Sequence, residues 1–217
     1  MLQNMVRWSL VLKAALVMAA MTAAAEAAPC RIAVLGDSLT AGYGLGTGEG
    51  FPYQLQRRLE QEKVGCEVLD AGVSGDTSSG GLARLDWVLA DQPTHLIVEL
   101  GANDALRAQP PAQLKSNLDA IVTQAQAAGV HVLLAGMLAP PNLGKAYAEE
   151  FAAAYDDVAD AHDIPLYPFF LEGVAGVRDL NLDDGIHPTA EGIGVIVERM
   201  APAVLDWLKS TGNGPAS

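Results

Sequence analysis

The sequence predicts an α/β fold built on one parallel β-sheet covered by helices on both faces. Three observations predict it. Short apolar runs alternate with longer stretches of helical period along the chain. The short runs are apolar at nearly every position, the pattern of strands buried on both faces rather than on one. No repeat, low-complexity linker or change of composition divides the chain, so the strands and helices belong to one domain.

Taken in order, Ile32-Ala33-Val34-Leu35 is the first strand, and Pro52 to Glu62 is a helix with Leu55 and Leu59 on one face. Glu67-Val68-Leu69 is the second strand, followed by a helical stretch through Leu82, Leu85, Val88 and Leu89. Leu96 to Leu100 is the third strand. Pro111 then opens a helix carrying Leu114, Leu118, Ile121, Val122 and Ala125 on one side. Gly129 stops that helix, and Val130 to Leu134 is the fourth strand. Tyr147, Phe151, Tyr155 and Val158 mark the next helix, and Ile164 to Tyr167 is a shorter fifth strand. The last helix is expected to start at Pro188 and to turn Ile193, Val197, Met200 and Val204 inward.

The first residues read differently. Arg7 and Lys13 flank or interrupt an apolar stretch from Trp8 to Ala20, and an alanine-rich exit follows. This is the order of a secretory signal peptide, with Ala25-Glu26-Ala27 offering small residues for cleavage before Ala28. Lys13 cuts the apolar run short of the ~20 residues that span a bilayer, which disfavours a retained anchor. The expected organisation is a signal peptide over 1–27, a single folded domain over 28–209 and a disordered tail over 210–217, in an exported, periplasmic or secreted protein.

The net charge of −13 makes the surface acidic, and loss of the leader makes it one unit more so. Such a surface repels polyanions, which excludes nucleic acid and anionic headgroups as electrostatic partners. Nothing in the pattern demands more than a monomer. His95, His131 and His162 are scattered without paired ligand spacing, so no metal site is expected.

In a parallel sheet, ligands bind beyond the carboxyl ends of the strands. Chemistry-bearing residues stand at those places. Gly36-Asp37-Ser38 follows the first strand, where a turn feeds a helix, although Ser and Asp there are also ordinary helix caps. Gly72 follows the second strand and can bring a bare backbone N–H close to a ligand, or can serve only a turn. Asn103, in Gly101-Ala102-Asn103-Asp104, offers an amide donor suited to an oxyanion. Near the C-terminus, Pro188 extends the backbone of His187, and Asp184 lies three residues before it, within reach of the ring Nδ1–H. Asp183 competes with Asp184 for that role. Leu106, Leu138, Pro140 and Leu143, in the segments after the third and fourth strands, are expected to line the cleft there with apolar surface.

These blocks, in this order, resemble the SGNH (GDSL) hydrolase family, and the wider runs Leu35 to Gly44, Ser74-Gly75-Asp76-Thr77 and Gly185 to Thr189 resemble its TesA-like esterases, thioesterases and lysophospholipases. Ala102 departs from the glycine expected in close relatives. The resemblance implies a flavodoxin-like three-layer α/β/α sandwich with a five-stranded sheet in the order 2-1-3-4-5. It implies Ser38 as nucleophile, His187 as base and then acid, and Asp184 as its orienting carboxylate. The Ser38 and Gly72 backbone N–H groups and the Asn103 side chain would form the oxyanion hole. The implied reaction is hydrolysis of a small ester or thioester without metal or cofactor.

In that strand order the first two strands are neighbours, and Cys30 and Cys66 begin them. Counting back from Ser38 and Gly72 puts both cysteines at the far edge of the sheet, two residues out of step. A disulfide is expected, against the alternative of two buried thiols. The rival reading of the whole chain is a nucleotide-binding module, prompted by Gly42, Gly44, Gly46, Gly48 and Gly50. Their strict alternation never gives the dinucleotide spacing, and no Gly-Lys-Ser/Thr follows.

Overall fold

A computed structural model describes residues 29–215. The expected leader over 1–27 lies outside them. Five parallel strands form one sheet in the order β2-β1-β3-β4-β5: β1 (Arg31–Gly36), β2 (Glu67–Gly72), β3 (His95–Glu99), β4 (His131–Ala135) and β5 (Leu166–Tyr167). The helices are α1 (Ser38–Ala41), α2 (Phe51–Gln61), α3 (Ser78–Ala83), α4 (Leu85–Ala90), α5 (Ala102–Leu106), α6 (Pro111–Ala127), α7 (Lys145–His162) and α8 (Ala190–Ser210). Helix α2 packs against α8, and α6 packs against α3 and α7. Right-handed crossovers explain the two layers. The chain moves one way across the sheet from β1 to β2 and the other way from β2 through β5, so α2 covers one face and the later crossover helices cover the other.

The core forms where the apolar strands meet these helices. Ile32, Val34, Leu35, Leu96, Ile97, Val98 and Leu134 are buried in the sheet, against Leu55 and Leu59 of α2, Leu118 and Ile121 of α6, and Ile196 and Met200 of α8. No helix among the described residues is long and apolar enough to cross a membrane.

Two sequence expectations shift. Pro188 does not start the last helix: it forms a β-bridge with Asn181, and Thr189 caps α8 by accepting the Gly192 N–H on its side chain. The last helix also ends one residue beyond Lys209. Helix α8 runs through Ser210, Thr211 Oγ1 lies 2.8 Å from His95 Nε2, and Asn213 N–H donates to Leu208 O at 2.7 Å. A polar C-terminal turn is held here because a buried imidazole requires a partner.

At the same end of the sheet, Cys30 and Cys66 sit one residue before the register pair Arg31–Glu67, with Cα atoms 4.5 Å apart and sulfurs bonded. The two-residue mismatch counted from Ser38 has a simple cause. The residue opposite Gly72 is Gly36, and Ser38 already belongs to α1.

Candidate active site

The site begins with a close approach. Helix α1 starts one residue after β1 and lies over the ends of β1 and β2. A Cβ at Gly36 would sit 2.2 Å from Thr40 Oγ1, and one at Gly72 would sit 2.7 Å from the Ala41 backbone nitrogen. Only glycine at both register partners lets helix α1 settle there. Asp37 caps this helix, its Oδ1 accepting the Leu39 N–H at 2.9 Å. Ser38 therefore projects from the first helical position, where backbone N–H groups lack intrahelical acceptors.

His187 reaches Ser38 from the loop before α8. Its Nε2 lies 2.9 Å from Ser38 Oγ, and its Nδ1 lies 2.6 Å from Asp184 Oδ2. Asp184 Oδ1 accepts the backbone N–H groups of Ile186 at 2.9 Å and His187 at 3.0 Å, so the carboxylate folds its own turn around the imidazole. Those backbone bonds and the ring N–H hold its pKa down to about 2. An ionised carboxylate only accepts, so Nδ1 carries the proton and Nε2 is free to take one from Ser38. The Tyr43 ring covers one face of the imidazole, with centroids 4.4 Å apart. Asp183 instead lines a separate polar recess with Arg178 and Asp179.

Asn103 enters at the start of α5, after a sharp turn at Gly101, whose φ is 126°. Its Nδ2 donates to Asp37 Oδ2 at 2.9 Å, which leaves one amide N–H uncommitted. Below Asp37 lies Glu99, a fully buried carboxyl whose Oε2 is 3.5 Å from the Asp37 backbone nitrogen. Burial pushes the Asp37 pKa up to about 6 and drives that of Glu99 well above the ordinary carboxyl range. A charged residue inside the apolar run Leu96 to Leu100 was the available sign of Glu99 in the sequence.

A cavity of about 250 Å³ opens beside Ser38, Asn103 and His187. Leu106, Leu138 and Pro140 line it, together with Ala102, whose methyl replaces the expected glycine. Leu143 does not line it. It belongs to the short 3-10 turn Pro141–Leu143, which leads away toward α7. Another part of the wall comes from Leu171, Ala175, Gly176 and Asn181, in a segment without helical or strand period. Gly72 is also absent from the lining, and its N–H donates to Asp70 Oδ1 at 2.9 Å. A larger groove of about 600 Å³ runs between α2 and α8, lined by Arg57, Arg58, Arg199, Glu191 and Glu198, away from this chemistry.

The family model for GDSL-like lipase/acylhydrolases matches residues 34–193, a span that holds the Ser38, Asn103 and Asp184–His187 positions. The chain belongs to that family. It is 44% identical over 180 residues to esterase TesA of Pseudomonas aeruginosa, covering 82% of this chain and 90% of the relative. It is 36% identical over 206 residues to thioesterase 1/protease 1/lysophospholipase L1 of Escherichia coli K12, covering 94% and 92% of the two chains. The crystal structure of the psychrotrophic esterase EstA from Pseudoalteromonas, inhibited by monoethylphosphonate, superposes with a TM-score of 0.79 at 36% identity, covering 82% of this chain and 98% of that one.

Proposed function

We propose that this GDSL-family enzyme is a serine esterase that hydrolyses carboxylic esters and thioesters through an acyl-enzyme on Ser38. The observation that carries the reading is one imidazole bridging Ser38 Oγ at 2.9 Å and the Asp184 carboxylate at 2.6 Å. His187 Nε2 takes the Ser38 proton as Oγ attacks the acyl carbon, and Asp184 stabilises the imidazolium that forms. The imidazolium then protonates the leaving group. In the second half, water attacks the acyl-enzyme with His187 again as base.

The negative oxygen of each tetrahedral intermediate is received by the Ser38 backbone N–H and the free N–H of Asn103. The Gly72 N–H joins them when the exposed Asp70 carboxylate swings aside. The acyl chain lies along Leu106, Leu138 and Pro140, and Leu106 and Leu138 are more than half exposed at the mouth. Each buried methylene contributes ~0.8 kcal/mol, so medium acyl chains are favoured over acetyl. The relatives' names span esterase, thioesterase and lysophospholipase, and this acyl-side wall is compatible with all three leaving groups.

The enzyme acts as an exported monomer on a small ester or thioester, and the leader over 1–27 directs that export. The Cys30–Cys66 bond suits an oxidising compartment. Labelling with a fluorophosphonate tests the mechanism: one adduct should form, on Ser38, and block p-nitrophenyl ester hydrolysis. An adduct elsewhere that blocks turnover would refute it. Kinetics over graded acyl lengths test the acyl wall, since Leu138→Ala should flatten the preference.

A further inference from the structure

Asp37 spends both carboxylate oxygens on the site. Oδ1 accepts the Leu39 N–H at 2.9 Å, and Oδ2 accepts Asn103 Nδ2 at 2.9 Å. Its backbone carbonyl also accepts the Ala41 N–H at 3.0 Å and the Thr40 hydroxyl at 3.2 Å. The side chain is fully buried, and Glu99 beneath it is also fully buried, with Oε1 unpartnered among the described residues. A helix cap needs only one of these oxygens and gains nothing from burial; exposed Ser or Thr would serve. Two acceptor oxygens in this place have a second consequence.

An asparagine amide has two orientations of similar shape, one presenting NH₂ and the other C=O. The acceptor-only Asp37 carboxylate admits only the first. With one N–H held by Asp37, the second N–H of Asn103 projects toward the cavity it lines beside Ser38. We infer that Asp37 is a positioning residue for the oxyanion hole: it fixes the Asn103 amide with its NH₂ inward and ties it to the helix that carries Ser38. The inference rests on the reading that Asn103 donates to the oxyanion.

Substitution at Asp37 separates this role from simple capping. Asp37→Asn is nearly isosteric but sets an amide against an amide, so Asn103 can turn its oxygen inward. Asp37→Ser keeps a cap for the Leu39 N–H but cannot reach Asn103. In both, kcat for p-nitrophenyl esters should fall by up to about a hundredfold, the scale of one lost oxyanion donor, with KM changed less than about twofold. The melting temperature should stay within a few degrees. In a double-mutant cycle, Asp37→Asn added to Asn103→Ala should cost less than about threefold further, because the group it positions has gone.

Wild-type kcat in Asp37→Ser, or an undiminished loss in the Asn103→Ala background, would reduce Asp37 to a cap and overturn the inference. Should both variants fail to fold, the unmutated enzyme still decides. One of the two Asn103 side-chain amide protons, assigned by its loss in Asn103→Ala, should resonate downfield and resist exchange. Two rapidly exchanging protons would overturn the clamp. Ser38→Ala, run alongside, distinguishes the failures: full turnover there would remove the underlying serine mechanism, whereas its loss together with a wild-type Asp37→Asn would remove the positioning role alone.

Discussion

The two ends of the sheet are built on different principles. At the amino ends of the strands, each helix-to-strand connection is short and passes through one left-handed residue: Lys63, Gln92, Gly129 and Asp163. The Cys30–Cys66 bond, the buried His95 and the edge of Trp207 close this end. At the carboxyl ends the connections after β4 and β5 are long, polar groups are buried without full partners, and apolar side chains stand exposed around a cavity. The contrast teaches where this chain places stability and where it places chemistry. Tight turns and a cross-link leave few alternatives to the fold at one end, and that rigidity lets the other end hold a buried Asp37 carboxylate and an open cleft.

The first way to break this division is at the triad. Ser38→Ala and His187→Ala should each lower kcat by about 10⁴-fold or more while leaving the melting temperature within a few degrees. Asp184→Asn should cost ~10²–10⁴-fold, because the ring loses its oriented tautomer. Asp183→Asn, which alters only the neighbouring polar recess, should stay within about twofold. Steady-state ester hydrolysis with a parallel thermal melt measures all four, and a large loss in Asp183→Asn with a small one in Asp184→Asn would reverse the assignment.

The converse test acts on the other end. Reducing the Cys30–Cys66 bond, whose cysteines are 36 residues apart, should cost ~2–4 kcal/mol of stability. For a domain of this size that is a drop of about 5–15 °C in melting temperature. Activity at low temperature should remain nearly unchanged. Two free thiols on titration of denatured, unreduced protein would refute the bond, and a parallel loss of activity would refute the separation of the two ends.

His95 sharpens the comparison through pH. Burial, with His131 beside it, lowers its pKa from 6.5 to about 4, so the folded state holds the neutral ring. The unfolded chain binds the proton more readily between those values, and stability therefore rises with pH across that window. The contribution is complete above about 6.5 and is lost as pH falls toward about 4. Melting curves from pH 7.5 to 4.5 should fall more steeply for the wild type than for His95→Gln, which keeps donor and acceptor capacity toward Thr94 and Thr211. Equal slopes would remove His95 from the acid response.

The two ends also differed in how legible they were. The strands and the large helices followed from apolar runs and from Pro52, Pro111 and Gly129, because burial and backbone constraint act locally. The left-handed turns at Lys63, Gln92 and Asp163 carried no glycine to announce them. At the site, Ser38, Asn103, Asp184 and His187 were readable because each follows a strand or precedes a helix at a fixed spacing. The segment from Pro168 to Leu182 was not. It has no period, and its shape depends on long-range contacts, such as Phe170 against Phe51, and on Asn181 donating to the Val174 and Val177 carbonyls. That part of the cavity wall is therefore set by tertiary packing. Leu143 was misplaced for a related reason: the chain turns at Pro140, which distance along the sequence does not reveal.

The smallest expected effect lies at Asp70, where the active end works partly against itself. The Gly72 N–H, the third donor of the proposed oxyanion hole, is taken by Asp70 Oδ1 at 2.9 Å. Asp70 is exposed, so this bond competes with water and is weak enough to open when an oxyanion arrives. Opening still costs something, and a carboxylate near a developing negative charge raises the barrier further. Asp70→Ala removes both costs and should raise kcat/KM about two- to fivefold. Asp70→Asn retains a carbonyl acceptor for the Gly72 N–H and removes only the charge, so it divides the two causes. A rise in both variants that fades at high salt identifies charge repulsion. A rise in Asp70→Ala alone, insensitive to salt, identifies competition for the N–H. If neither variant exceeds the wild type, the Gly72 N–H contributes nothing to the transition state, and its glycine is explained wholly by the approach of α1.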